Sequence, residues 1–138
     1  MIAVQREFIL EFKGYYSLKI PHLIDDVPGI YCIFDCDCDS NIKCVPRSLL
    51  YIGKAADIQQ RIVNHERKSD WDEAYKSGQP YLALAVIKNR IDREICEAVM
   101  IFKNKPRLNE RSTKKCPYNG TAIQVTGCTE CLCTCFSV

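Results

Sequence analysis

The feature that most limits what this chain can become is the run Leu50-Tyr51-Ile52-Gly53-Lys54-Ala55, followed at once by Asp57 to Lys68. It reads as a strand that stops at a glycine and turns into a helix, because branched and aromatic residues favour the pleat and glycine punctuates it. Asp57 with Gln60 three residues on resembles a capping box, with aspartate in place of the usual serine or threonine. Ile58 and Ile62 give that helix an apolar face, with Val63 beside them, while Arg61 and His65 share another face at i and i+4. The unit therefore carries Tyr51, Lys54, Arg61 and His65, four side chains able to handle a phosphate. Upstream stands a related phrase, Gly29-Ile30-Tyr31, and the two tyrosines raise the prospect of one shared site.

The rest of the chain frames this unit. Phe8 to Phe12 is a short apolar run that fits either a strand or a short helix, since runs of this length do not separate the two. Val27-Pro28-Gly29 is a turn, Gly29 to Phe34 a strand, and Asp35 to Asn41 an exposed turn rich in aspartate. Ser48 to Ile52 returns as the second strand of a hairpin. Ser69 to Tyr75 suits a further helical turn ending at Gly78. Tyr81 to Ile87 is an almost unbroken apolar run and reads as a buried third strand. Arg90 to Lys103 is the clearest helix, with a core stripe of Ile91, Ile95, Ala98, Val99 and Phe102, Glu97 opposite it, and Pro106 as its stop. From Ser112 onward glycine, threonine and cysteine predict an irregular tail. The expected fold is thus α/β: a central three-stranded antiparallel sheet flanked by helices. Its organisation would be an N-terminal extension (1–27), a main domain (28–111) and a cysteine-rich tail (112–138).

A chain of 138 residues, 47% hydrophobic and 26% charged, suits one globular domain. No apolar run reaches the roughly 18 residues of a membrane span, and no signal peptide is apparent, so a cytoplasmic protein without a membrane partner is expected. The net charge of +2 says less than its distribution. Lys103, Lys105, Arg107, Lys114 and Lys115 crowd one segment, where they would track a nucleic-acid backbone through its phosphates. Five aspartates and no basic residue lie between Asp25 and Asp39, the signature of a solvated or cation-attracting loop.

Gly29-Ile30-Tyr31 ahead of Tyr51-Ile52-Gly53, each at the end of a hairpin strand, resembles the GIY-YIG nuclease signature. Tyr51-Ile52-Gly53-Lys54-Ala55 followed by Arg61 is similar to the nuclease domain of the bacterial nucleotide-excision-repair endonuclease. His65 resembles the homing and restriction members, and Glu97 followed by Pro106-Arg107-Leu108-Asn109 resembles the family's glutamate and closing asparagine. The connection from Tyr31 to Tyr51 is longer than is usual for the family, and the tail after Asn109 resembles no DNA-binding module.

The resemblance implies a divalent-metal-dependent endonuclease that hydrolyses phosphodiester bonds in DNA, with RNA an open alternative. Glu97 would hold Mg²⁺ or Mn²⁺, for which one carboxylate and several waters suffice. Tyr31 or Tyr51 would act as general base or orient the water, with Lys54 and Arg61 as the cations that lower its pKa. Arg61 would clamp the phosphate in a bidentate manner, His65 would bond the phosphate or protonate the leaving oxygen, and Asn109 would tie the site together. Repair, restriction-like or mobile-element work fits a chain of this size, and a homodimer is one way for it to cut both strands.

The ten cysteines divide. Cys128, Cys131, Cys133 and Cys135 place four thiols within eight residues, where they could ligate a structural Zn²⁺ or remain free. Cys36, Cys38 and Cys44 lie among aspartates in the hairpin, and Cys96 reads as packed in its helix. The rival reading keeps the fold without the reaction: a catalytically inactive nucleic-acid-binding or interaction module with a metal-binding cysteine-rich tail.

Overall fold

The computed structural model describes residues 3–38, 44–65, 79–109, 115 and 118–138. Among them run six strands: β1 (Arg6–Ser17), β2 (Gly29–Cys38), β3 (Cys44–Ala55), β4 (Gln79–Val86), β5 (Thr121–Gly127) and β6 (Cys135–Ser137). They form one sheet in the order β3-β2-β4-β1-β5-β6. All neighbours are antiparallel except β1 and β5, which run parallel from Arg6 opposite Thr121 to Phe12 opposite Gly127. Two helices accompany the sheet, α1 (Ile58–Val63) and α2 (Arg90–Asn104), with a 3₁₀ turn at Pro21–Leu23.

The α/β class is as expected; the three-stranded antiparallel sheet is not. Strands β3, β2 and β4 are the three anticipated ones, but they make up half of a six-stranded mixed sheet. The ambiguous run at Phe8 to Phe12 lies in the first half of a twelve-residue strand, which pairs with β5 there and with β4 through Lys13, Tyr16 and Ser17 farther along. The segment expected to be irregular after Ser112 contains two strands. Thr121-Ala122-Ile123-Gln124-Val125 alternates buried and more exposed positions as a strand should, and its isoleucine and valine point into the core. Asp35 to Cys38 continues β2 rather than turning, because each of these residues still pairs with β3. Ser69 to Tyr75 and Gly78 lie outside the described residues.

Period-2 alternation sorts the side chains onto two faces. Ile30, Cys32, Phe34 and Cys36 of β2 join Ile52, Ala83, Ala85, Leu10 and Phe12 in one core, which α2 closes with Cys96, Val99, Met100 and Ile101. Ile123, Val125 and Phe136 belong to the same core, so β5 and β6 are part of what buries α2. The opposite face carries Tyr31, Ile33, Leu50, Leu82 and Leu84, closed by Ile58 and Ile62 of α1. The α2 stripe therefore differs from the expected one: Ile91 is 64% exposed, whereas Cys96 and Met100 are fully buried. Helical spacing alone allowed both stripes, and the adjoining sheet and C-terminal strands select the second. Cys96 is packed as expected. The helix ends where Lys105 adopts a left-handed conformation and donates its N–H to Ile101 O at 2.8 Å, just before Pro106.

No helix among the described residues is long and apolar enough to cross a membrane.

Candidate active site

Tyr31 and Gly53 face each other across the β2–β3 ladder. The strand does not stop at this glycine; it runs through to Ala55. Glycine is required because the Tyr31 ring lies directly over it: a Cβ at position 53 would stand 2.4 Å from the Tyr31 hydroxyl oxygen and from Cζ. Gly29 has a comparable reason. Strand β4 passes so close that a Cβ there would meet Ala85 O at 2.0 Å. The two glycines thus allow β2 to sit tightly between its neighbours while a tyrosine folds down over the β3 backbone.

Around this contact an aromatic cluster forms. The ring centroids of Tyr31 and Tyr51 are 6.3 Å apart, those of Tyr31 and His65 6.3 Å, and those of Tyr51 and His65 5.2 Å. The histidine ring meets both tyrosines edge-on, an arrangement the aromatic quadrupole favours. His65 is only 5% exposed, so it is a buried residue rather than a surface one. It reaches this place because Asp57 accepts from the Gln60 N–H at 3.1 Å and starts α1, and Gln59 donates to His22 O and Ile24 O, seating the helix on the 3₁₀ turn. With Asp57 engaged in the cap, Arg61 is directed elsewhere. Its guanidinium lies beside the Tyr31 hydroxyl.

Tyr31 is 1% exposed. Burial pushes its pKa well above that of a free phenol, and the neighbouring Tyr51 and Glu97 push it further, while Arg61 pulls it back only in part. At neutral pH the Tyr31 phenol is a hydrogen-bond donor, not a phenolate. Tyr51, only half-buried, is the tyrosine that solvent reaches.

Glu97 comes from α2 and meets Lys54 at the sheet edge, with Lys54 Nζ 3.4 Å from Oε1. Its side chain is 21% exposed. A partly hydrated carboxylate is suited to a hard cation that keeps most of its waters. Asn109 holds the strand that bears Tyr51 and Lys54. Its Oδ1 accepts from Ile52 N–H at 2.9 Å and its Nδ2 donates to Ile52 O at 2.9 Å, while Leu108 N–H donates to Leu50 O at 2.8 Å. β3 is an edge strand, and these bonds satisfy outward-facing groups that would otherwise face water or another strand.

The structure therefore brings together Tyr31, Tyr51, Lys54, Arg61, His65, Glu97 and Asn109 around one end of the β2–β3 hairpin. The basic residues are more dispersed. Lys103, Lys105, Arg107 and Lys115 are exposed, but Lys103 lies over the Phe136 ring and Lys105 over Phe102, 4.7 Å from its centroid. Lys114 lies outside the described residues. Cys128, Cys131, Cys133 and Cys135 occupy the β5–β6 connection and the start of β6. Among the described residues no group of three or more His, Cys, Asp or Glu is placed to hold a metal ion, so these thiols are not gathered on one point. Cys131 donates to Pro46 O and Cys133 N–H to Asn104 Oδ1 at 2.8 Å, which fastens the connection to β3 and to the end of α2.

Two structural roles escaped the reading of the sequence. Gln59, which seats α1, has no motif signal. Asn104, which anchors the C-terminal connection, sits at a helix end where asparagine is unremarkable.

No family model, curated protein or solved structure matches this chain.

Proposed function

We propose that this chain is a divalent-metal-dependent endonuclease of the GIY-YIG type that hydrolyses phosphodiester bonds in DNA. The observation that carries the reading is the convergence of residues drawn from β2, β3, α1 and α2 on one edge. Tyr31, Tyr51, Arg61 and His65 come from the α1 face, and Glu97 reaches the Tyr31 hydroxyl electrostatically from α2. A structural cluster would not need a buried histidine, an arginine and a carboxylate around two tyrosines.

Glu97 would hold Mg²⁺ or Mn²⁺, which when bound supplies Lewis-acid stabilisation of the phosphate. The chain's own residues divide the remaining work. Tyr51, open to solvent, orients the attacking water, whose proton passes to bulk solvent as its oxygen bonds phosphorus and the leaving P–O bond breaks. Tyr31 donates a hydrogen bond, and its neutral form keeps one negative charge away from the incoming phosphate. Arg61 faces the phosphate oxygens with a planar fork, and its charge counts most as the pentacovalent state gathers negative charge. His65 protonates the leaving oxygen. Lys54, paired with Glu97, holds the carboxylate in place and adds a second cation to the phosphate side.

Plasmid nicking in Mg²⁺ or Mn²⁺ tests this. Glu97→Ala is expected to lower the rate by about 10²–10³-fold, and Tyr51→Phe by on the order of 10²-fold. Equal nicking by wild type and Glu97→Ala would remove Glu97 from the mechanism. Tight DNA binding without any cleavage would leave a binding module.

A further inference from the structure

The start of α2 carries a basic cluster that the proposed chemistry does not use. Lys88 and Arg90 are exposed, and neither forms an ion pair with any described residue. Arg93 belongs to the same cluster but is committed to structure: its guanidinium donates to Ile87 O at 3.1 Å and to Lys88 O at 2.9 Å. Ile87 N–H donates to Pro28 O at 3.0 Å, and Asn89 caps the helix by accepting from Asp92 N–H at 3.0 Å. The segment that presents Lys88 and Arg90 is thus bonded on three sides.

Its position relative to the site follows from helix geometry. Seven residues separate Arg90 from Glu97, and at about 100° per residue they fall within about 20° of each other around the axis, so both lie on one stripe of α2. The rise over that interval is about 10 Å. Lys88 lies just beyond β4, at the end of the sheet where Gly29 pairs with both Ala55 and Val86, next to Lys54. The acidic groups beside Arg90 on the helix itself are Asp92, on the far side, and Glu94, about 40° from Arg90. Neither is within ion-pair distance of Arg90.

Duplex DNA carries, on each strand, one phosphate for about every 3.4 Å of helix axis. A cation about 10 Å from Glu97 along an element lying parallel to the duplex axis therefore falls within about three phosphates of the one held there. We infer that Lys88 and Arg90 form a phosphodiester-backbone site that grips the nucleic-acid strand a few nucleotides to one side of the bond positioned at Glu97. This inference rests on the endonuclease reading for its register, since that reading fixes which phosphate lies at Glu97. The pair carries no base-reading geometry, so it adds affinity and register without sequence preference.

Fluorescence anisotropy with a short labelled DNA duplex in EDTA, over a series of salt concentrations, tests the site without cleavage. The double variant Lys88→Ala/Arg90→Ala is expected to reduce the slope of log affinity against log salt by about 1.8, or about 0.9 for each lost contact. Arg90→Lys, on a wild-type background, should keep the slope. Because Lys88 and Arg90 are exposed, the melting temperature of the double variant should match wild type. An unchanged slope in the double variant, in a protein that nicks plasmid, would overturn the site and leave the endonuclease reading standing. A reduced slope in a protein that never nicks DNA would do the reverse. A wild-type chain that binds no duplex would overturn both.

Discussion

The two halves of the sheet differ in how their conspicuous residues behave. In the β3-β2-β4 half, side chains that stand far apart in the sequence converge: Tyr31, Tyr51, Arg61, His65 and Glu97 meet at one hairpin end. In the β1-β5-β6 half, residues crowded in the sequence stay apart. Four cysteines within eight positions do not gather, and what holds that half is backbone pairing, the apolar residues Ile123, Val125 and Phe136 it adds to the core, and side-chain bonds such as Asn104 to Cys133. Density along a chain is therefore a poor guide to a site. A strand alternates its side chains between faces, and a connection points them outward, so neighbours in sequence are separated in space.

Three measurements sharpen this contrast. The largest effect is expected from Gly29→Ala. Its Cβ would meet the Ala85 carbonyl, which is backbone and cannot rotate away, so β2 and β4 must separate at a cost of about 3 kcal/mol. Urea denaturation reads this as a lower midpoint. Unchanged stability would show that the tight strand spacing is not needed.

Next comes a pair of asparagines, one in each half. Asn109→Ala removes both side-chain bonds to Ile52 and should cost about 2 kcal/mol, whereas Asn104→Ala, which frees Cys133 N–H, should cost about 1 kcal/mol. Beyond stability the two should part company. Amide hydrogen exchange should quicken along β3 in the first variant and along the β5–β6 connection in the second. Exchange that quickens everywhere in both would contradict two separately fastened halves.

The smallest effect concerns the thiols. Burial pushes Cys36 and Cys96 from an ordinary value of 9.0 up to about 12. The folded chain thus keeps these thiols protonated where the unfolded chain would ionise them. Their contribution is complete below about pH 9 and is lost as pH climbs toward 12. Stability measured from pH 7.5 to 10.5 should fall less steeply in Cys96→Ala than in wild type. Iodoacetamide at pH 8 should modify the exposed Cys131 and Cys135 well before the buried Cys32, Cys36 and Cys96. Equal rates for the two groups would mean that the α2 core opens as readily as the C-terminal connection.

Much of this was legible in the chain. The hairpin and α2 follow from alternation, glycine placement and 3.6-residue spacing, and five of the seven proposed site residues, Tyr31, Tyr51, Lys54, Arg61 and Glu97, stand in the strands and helices of the fold. What could not be read was partnership. Phe8 to Phe12 looks the same whether or not it has a strand partner, and only β5, more than a hundred residues later, supplies one. The α2 stripe is legible only in part for a similar reason: Val99 is buried as expected, while Ile91 is exposed. Ile91 is the more apolar residue, but Cys96 and Met100 face what β5 and β6 help to cover. Burial of a helix face depends on elements whose arrival no local pattern announces.

The parallel pairing of β1 with β5 also has a temporal consequence. Arg6 and Thr121 are register partners, so their ladder closes a loop of 115 residues. Ordering so long a loop is entropically costly before any contact repays it, and topologies rich in such distant pairs fold slowly. While β5 is still unformed, β1 can dock on β4 through Lys13, Tyr16 and Ser17 but leaves Arg6 to Phe12 without their strand partner. A newly made chain therefore passes through a stage in which its first strand waits for one of its last, and during that wait the open edge is where a chaperone, or another nascent copy, would bind first.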